Sequence, residues 1–438
     1  MLTPAENALL TQTNAGTPMG EVFRRFWVPA MLPSELPRAD SDPVRLRLLG
    51  EDLVAFRDTT GAIGVIQNNC PHRGASLFFG RNEEQGLRCV YHGWKFDVDG
   101  KCVDMPNEPA ESDFRQKVKA TAYPAKEWGG LIWVYMGPKE REPSLPQYPW
   151  CLVPNADHTP VAKWMQESNY TQGLEGNLDT SHINFLHRAF DRPINTRLSN
   201  SAPMKLIVLQ TAFGFVYGAK RQALEDFRYH WRLTTFAYPT FTAIPGPKLG
   251  GCFFVIPRDD ETSWWFMIRP LVNQNGVPEP DLSARDPYKL LQYGRQVFDP
   301  SLTHEPGSWR LARNGGNDYL IDRDMQRRIN YTGLPTNRVQ DAAVTESMGK
   351  VYDRTQEHLG AADTAIIQMR RHLMHLAEAL QRGEEPDLAA HPEWFRQAPL
   401  EVVSLEEDMP TLWEQHHAAF LHEFAASGAS TDAANARA

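Results

Sequence analysis

The sequence runs to 438 residues, 42% hydrophobic and 11% aromatic, which is room for two domains and an appendage with cores of their own. Its formal charge of −9, with acidic and basic residues interspersed, argues against a nucleic-acid-binding protein. No basic stretch leads into a long apolar run at the start, and no apolar run approaches the roughly 20 residues of a membrane helix; a soluble, cytoplasmic protein is expected.

In chain order, residues 3–14 predict a short helix with Thr3 as N-cap and Pro4 at its first position. The following PMGEVFRRFWVPAML reads as aromatic and aliphatic core anchors, completing an N-terminal helical segment over 1–39. From Pro43 the pattern turns to strands. Val44, Leu46 and Leu48 alternate with polar residues, Leu53–Phe56 follows, and Asp58-Thr-Thr-Gly61 makes a turn before Ile63–Gln67. Asp99-Gly100 signals a second hairpin and Leu131–Met136 a closing strand, so 40–137 predicts a small antiparallel domain. Residues 138–150 carry four prolines among charges, the composition of a linker.

Inside that small domain lies NNCPHRGASLFFGRNEEQGLRCVYHGW, residues 68–94. Cys70 and His72 are separated by one residue and Cys89 and His92 by two, with sixteen residues between the pairs. Two thiolates and two imidazoles on short loops suit either zinc or a Rieske [2Fe–2S] cluster, in which Cys holds one iron and His the other. The C-x-H spacing is tight for tetrahedral zinc and favours the cluster. Cys102, Cys151 and Cys252 read as ordinary small residues, because five cysteines in so large a chain do not suggest a disulfide framework.

Beyond the linker, Met165–Arg188 has helical spacing, and strands are predicted at Lys205–Gln210, Phe213–Gly218, Phe227–Tyr238, Cys252–Ile256 and Ser263–Ile268. The fold class is therefore α+β: an N-terminal antiparallel β domain, then an antiparallel sheet flanked by helices over 151–350, then a helical C-terminal extension over 351–426. In that extension Ile366, Met369, Leu373, Leu376 and Leu380 form a seam that must bury against its own domain or a second subunit. A last amphipathic helix is expected near Leu412–Phe424, and 427–438 is expected to be disordered.

The helical stretch contains Glu175, Asp179, His182 and His187. Two histidines and a carboxylate suit ferrous iron in a facial triad. Five residues apart, the histidines stand about 140° around an ideal helix, and they converge on one ion only where the helix ends or distorts.

Cys-Pro-His-Arg-Gly, Cys-x-Tyr-His-Gly-Trp and E-x3-D-x2-H-x4-H together resemble the α subunit of Rieske non-haem iron aromatic-ring hydroxylating oxygenases. The resemblance implies a [2Fe–2S] cluster on Cys70, His72, Cys89 and His92, and mononuclear Fe(II) on His182 and His187. It also implies that Asp179 bridges a cluster histidine of a neighbouring subunit to an iron ligand. Asp341, in VQDAAVTESMG, resembles the family's third ligand, with Asp322, Asp324 and Asp353 as nearby competitors.

The opening thirty residues, ESMG and EHLGAADTAIIQMRR resemble the phthalate-dioxygenase-like group. That implies a homo-oligomer of head-to-tail trimers, sometimes stacked as hexamers, without a β subunit. It also implies a separate flavin and iron–sulfur reductase that draws on NADH, and an aromatic carboxylate plus O2 as substrates. Cis-dihydroxylation is the first expectation, with monooxygenation or O-demethylation as the alternative. A bare Rieske electron carrier would not need the second motif. A carboxylate substrate calls for a cation, and Arg221 and Arg232, in or beside predicted strands, are the candidates.

Overall fold

The structure is a computed structural model describing residues 1–109, 111–152, 162–190, 205–223, 227–245, 251–268 and 309–426. The tail expected to be disordered, 427–438, lies outside the described residues.

Helix Pro4–Thr11 starts where the sequence places it. The Thr3 side chain accepts from the Glu6 backbone N–H while Glu6 reaches back to Thr3, a reciprocal cap. A second helix, Pro18–Phe23, leads into Trp27–Met31, which is a strand with every residue buried. Buried on both sides, it shows no alternation, so its sequence reads as core but not as strand. It pairs antiparallel with Leu131–Tyr135, which pairs in turn with Ala125–Trp128. Two four-stranded sheets complete the cluster-bearing region. One contains Val44–Leu48, Glu51–Arg57, Ile63–Gln67 and Ala122–Tyr123; the other contains the short strands Arg81–Asn82, Leu87–Arg88, Lys95–Phe96 and Cys102–Asp104.

Residues 138–150 do more than connect. Tyr148 and Trp150 are buried and stack in series with Trp133, and Phe241 and Phe254 of the second sheet close on them. Aromatic pairs at these separations add to the gain from burying their area.

The second sheet is antiparallel with eight strands among the described residues. Its path runs Ala162–Gln166, Ser263–Ile268, Gly251–Pro257, Phe241–Ile244, Tyr229–Ala237, Gly214–Gln222 and Lys205–Thr211, with Leu400–Ser404 pairing against Tyr229–Leu233. Five of these strands lie where the sequence predicts them. Ala162–Gln166, Phe241–Ile244 and Leu400–Ser404 are additional, each only four or five residues long. The last sits in a region that reads as helical.

Helix Thr364–Gln381 buries Ile366, Met369 and Leu373, with Leu376 and Leu380 half-buried against the same core. It packs on Pro4–Thr11, Pro18–Phe23 and Lys205–Thr211, so its seam is covered within its own chain. The final helix is Met409–Ala426.

One apolar core joins the N-terminal helices, the Trp27–Met31 sheet and the second sheet. A separate core containing Val54, Phe56, Ile66, Leu77, Leu87, Trp94 and Phe96 supports the two cysteine loops.

Candidate active site

The two cysteine loops share one backbone design. In the first, Cys70 N–H donates to Ala75 O at 2.8 Å and Gly74 N–H to Cys70 O at 2.9 Å; in the second, Cys89 N–H donates to Trp94 O at 2.8 Å and Gly93 N–H to Cys89 O at 3.0 Å. Each loop thus closes at the fifth position from its cysteine, where the chain turns left-handed at φ 77° for Gly74 and 79° for Gly93. Only glycine takes that conformation without cost, which explains the His-x-Gly and His-Gly endings. The loops bring His72 and His92 together, ring centroids 4.4 Å apart, with Trp94 stacked on His72 at 4.4 Å.

The donor set fits a [2Fe–2S] cluster. Cys70 and Cys89 are both free and 3% exposed. Burial, with the neighbouring Cys89, pushes the Cys70 thiol up to about 11. A thiolate there is costly unless a metal cation stabilises it. His72 Nδ1 is buried with no hydrogen-bond partner, as expected of an atom reserved for a metal.

The second site begins at helix Tyr170–Leu178, which ends with Asp179 as its C-cap. His182 follows in a 3-10 turn, His182–Asn184. The helix therefore stops before the first histidine, and His182 and His187 converge where an unbroken helix would splay them. Their Nε2 atoms are 3.1 Å apart. Asp341, from helix Asn337–Ser347, places Oδ1 3.2 Å from His187 Nε2 and 3.9 Å from His182 Nε2. One ligand atom from each residue lies within 4.8 Å of the others, close enough for one ion to be held by all three.

Protons make the same case. Gln340 Oε1 stands 2.7 Å from His187 Nδ1, and Gln340 Nε2 donates to Leu334 O at 2.9 Å, which fixes the amide as the acceptor. His187 therefore carries its proton on Nδ1 and turns the Nε2 lone pair toward His182. Burial pulls the His187 imidazole toward neutrality, but Asp341 and Gln340 lift it above its ordinary range. The surroundings favour positive charge at this point, which a bound divalent cation would supply.

Asp179 Oδ2 lies 3.6 Å from His182 Nδ1, and Asp179 Oδ1 accepts from Ser181 N–H and Oγ at 2.6 Å each. Burial raises this carboxyl, yet His182 and Ser181 hold it below the usual carboxylate range.

The competing aspartates are engaged elsewhere. Asp322 caps the helix Arg323–Arg328, Asp324 pairs with Arg327, and Asp353 accepts from Thr355. Arg221 is 1% exposed; its Nη2 reaches Thr180 O and Oγ1 at 3.4 Å, while Nε and Nη1 are buried without partners. Burial and neighbouring Arg232 pull its guanidinium down to about 10. Arg232 donates to Pro245 O at 2.8 Å.

Sequence reasoning missed Gln340, although it directly precedes Asp341, and missed the frame that joins the two ligand helices. Gln172 Nε2 donates to Thr345 O and Gly349 O at 2.9 Å each. Glu175 binds Arg354 and Arg370, both at 2.9 Å, and Arg370 also pairs with Glu357.

Comparison with known proteins finds the same two domains in the same order. The Rieske [2Fe-2S] domain description matches residues 26–124, and the LigXa C-terminal domain like description matches 134–420. The phthalate 4,5-dioxygenase oxygenase subunit of Pseudomonas putida is 38% identical over 399 residues, covering 88% of each chain. The 3-chlorobenzoate-3,4-dioxygenase oxygenase subunit of Comamonas testosteroni is 38% identical over 385 residues, covering 85% of this chain and 88% of that one. The terminal oxygenase of carbazole 1,9a-dioxygenase from Nocardioides aromaticivorans IC177 shares the fold at TM-score 0.56 and 19% identity, over 86% of this chain and 99% of that one. With a Rieske [2Fe–2S] domain ahead of a mononuclear-iron catalytic domain, the chain belongs to the Rieske non-haem iron aromatic-ring hydroxylating oxygenases, as an oxygenase component.

Proposed function

We propose that this oxygenase component cis-dihydroxylates an aromatic carboxylate, using O2 and electrons from NADH relayed by a separate flavin and iron–sulfur reductase. Cys70, His72, Cys89 and His92 hold the cluster; His182, His187 and Asp341 hold the ferrous iron. When bound, the cluster supplies single electrons and the mononuclear iron activates O2 with them. The observation that carries the reading is the convergence of His182, His187 and Asp341 to within 4.8 Å in a chain that also holds the paired cysteine loops.

The chain's own residues prepare that chemistry. Gln340 keeps the His187 proton on Nδ1 and so presents Nε2 as a ligand. Asp179 orients His182, and its depressed carboxyl stays anionic, ready to accept from a second imidazole. That imidazole is His72 or His92 of the neighbouring subunit. The two loops rest on their own core while the iron ligands sit on the other, and the loop tip exposes Val90 and Tyr91. A head-to-tail ring, a trimer that can stack into a hexamer, brings tip and iron site together.

Arg221 binds the substrate carboxylate. A buried guanidinium with two unpartnered nitrogen atoms, touching Thr180 beside Asp179, is stabilised by an anion placed against it. Arg232 adds a second positive charge. The relatives named for phthalate and 3-chlorobenzoate support this substrate class.

The deciding experiment supplies the loaded protein with a surrogate reductase, NADH, O2 and a panel of aromatic carboxylates. A cis-dihydrodiol confirms the reading. A phenol, or formaldehyde released from a methoxy substrate, replaces dihydroxylation by monooxygenation or O-demethylation, and no oxygenated product from any member overturns the substrate class.

A further inference from the structure

Beside the cluster loops lies a surface that contains none of the proposed iron ligands. Trp94 is 3% exposed, stacks on His72 with its plane tilted by 14°, and donates Nε1 to Asn107 Oδ1 at 2.7 Å. Its far neighbour is Phe114, ring centroids 6.0 Å apart and edge-on, and Phe114 is 44% exposed. One exposed ring therefore stands two ring contacts from a cluster ligand.

Phe114 opens the one-turn helix Phe114–Lys117. Next to it a cavity of about 430 Å³ is walled by Lys101, Cys102, Val103, Arg115, Val118 and Lys119, with Gln116 completing it. No acidic side chain is in that wall. Asp99 lies 3.5 Å from Lys101, and exposed Glu111 and Asp113 stand on the approach to the helix. On a chain of net charge −9, the wall itself is lined by three cations and no anion, with Asp99, Glu111 and Asp113 outside it.

We propose that Phe114 with Lys101, Arg115 and Lys119 forms the docking surface for the electron-donor protein, a partner that carries carboxylates around its own redox centre. The proposal rests on the reading of the chain as an oxygenase served by a reductase. The carboxylates of an acidic donor are attracted to the cations that line this wall, which orients the encounter and speeds it. Its carboxylates enter the cation-lined cavity while its centre comes to rest near Phe114. The other exposed approach, over Val90 and Tyr91, is left to the neighbouring subunit, so donor and acceptor need not compete for one face.

The test measures binding as well as electron delivery. The probe is a purified surrogate reductase carrying flavin and a plant-type [2Fe–2S] domain. Wild-type affinity should fall as salt rises, because exposed charge pairs are screened. The triple variant Lys101→Glu, Arg115→Glu, Lys119→Glu should bind at least about tenfold more weakly, with a flattened salt dependence. Phe114→Ala should slow cluster reduction by reductase yet leave dithionite reduction and the EPR spectrum unchanged. The milder Lys101→Gln, Lys119→Gln pair, with unaltered thermal unfolding, guards against misfolding and should weaken binding in the same direction. Wild-type affinity and salt dependence in the charge variants would overturn the docking surface alone. A wild-type cluster that dithionite reduces and no reductase binds or reduces would overturn the oxygenase reading beneath it.

Discussion

At the residue scale, the iron site depends on who holds each proton. His187 presents Nε2 because its Nδ1–H donates to Gln340 Oε1, and Asp179 faces Nδ1 of His182 in the same way. Replacing His182, His187 or Asp341 with Ala should abolish mononuclear iron, read by metal analysis, while the Rieske EPR signal persists. Full iron in Asp341→Ala would move the carboxylate ligand elsewhere. Gln340→Leu removes the orienting acceptor together with the donor to Leu334 O and should weaken iron binding by about 10–100-fold. Asp179→Asn keeps shape but loses charge and one acceptor. It should retain cluster, iron and oligomer, yet leave the cluster reduced when substrate and O2 are added; rapid reoxidation coupled to product would show that electrons bypass Asp179.

At the element scale, the ligands stay together because their helices are cross-braced. Tyr170–Leu178 is bound to Asn337–Ser347 through Gln172, and to Thr364–Gln381 through Glu175, Arg354 and Arg370. Burial works to raise the Glu175 carboxyl, but the two guanidiniums hold it below the ordinary range. A carboxylate depressed in the folded state stabilises fully above its unfolded pKa, and that stability is lost as pH falls through the folded value. Glu175→Gln should therefore lower stability at neutral pH by about 3 kcal/mol, since it leaves buried arginines short of a partner. The deficit should shrink as pH falls below the unfolded glutamate's value of about 4.3 and on through the lower folded value. Denaturant unfolding at a series of pH values checks this, and a deficit independent of pH would show that Glu175 acts through packing. Leu373→Ala, at a fully buried position of the same helix, should cost about 2–5 kcal/mol without altering either metal spectrum.

At the scale of the whole molecule, electron delivery is a question of which chain holds which site. His92→Ala lacks a complete cluster site and His182→Ala lacks a complete iron site, so each should be inactive. Co-assembled in one ring, they should recover part of the wild-type turnover, because an intact cluster loop of one subunit then faces an intact iron site of the next. Mixed oligomers that remain inactive would place the electron path within a single chain.

The cysteine loops were legible in the sequence because they are local: a thiol, an imidazole and a left-handed glycine within five residues dictate their own turn. Thr3, Pro4 and Glu6 likewise fix the first helix by contacts three residues apart. The histidine pair was legible as a candidate, and so was the need for the helix to end or distort between the two; it ends earlier, at Leu178. Tertiary structure decided what depended on distant partners. Among four aspartates, resemblance alone preferred Asp341; it is the tertiary structure that sets Asp341 beside the histidines, on a helix held by Gln172. Trp27–Met31 and Leu400–Ser404 became strands only on meeting Leu131–Tyr135 and Tyr229–Leu233. The leucine seam found its cover in the N-terminal helices, more than three hundred residues away in the sequence. Hydrogen-bond turns and caps close over a few residues and are written in order along the chain; a metal triad, a β ladder and a buried ion-pair frame are closed by side chains that only folding makes neighbours.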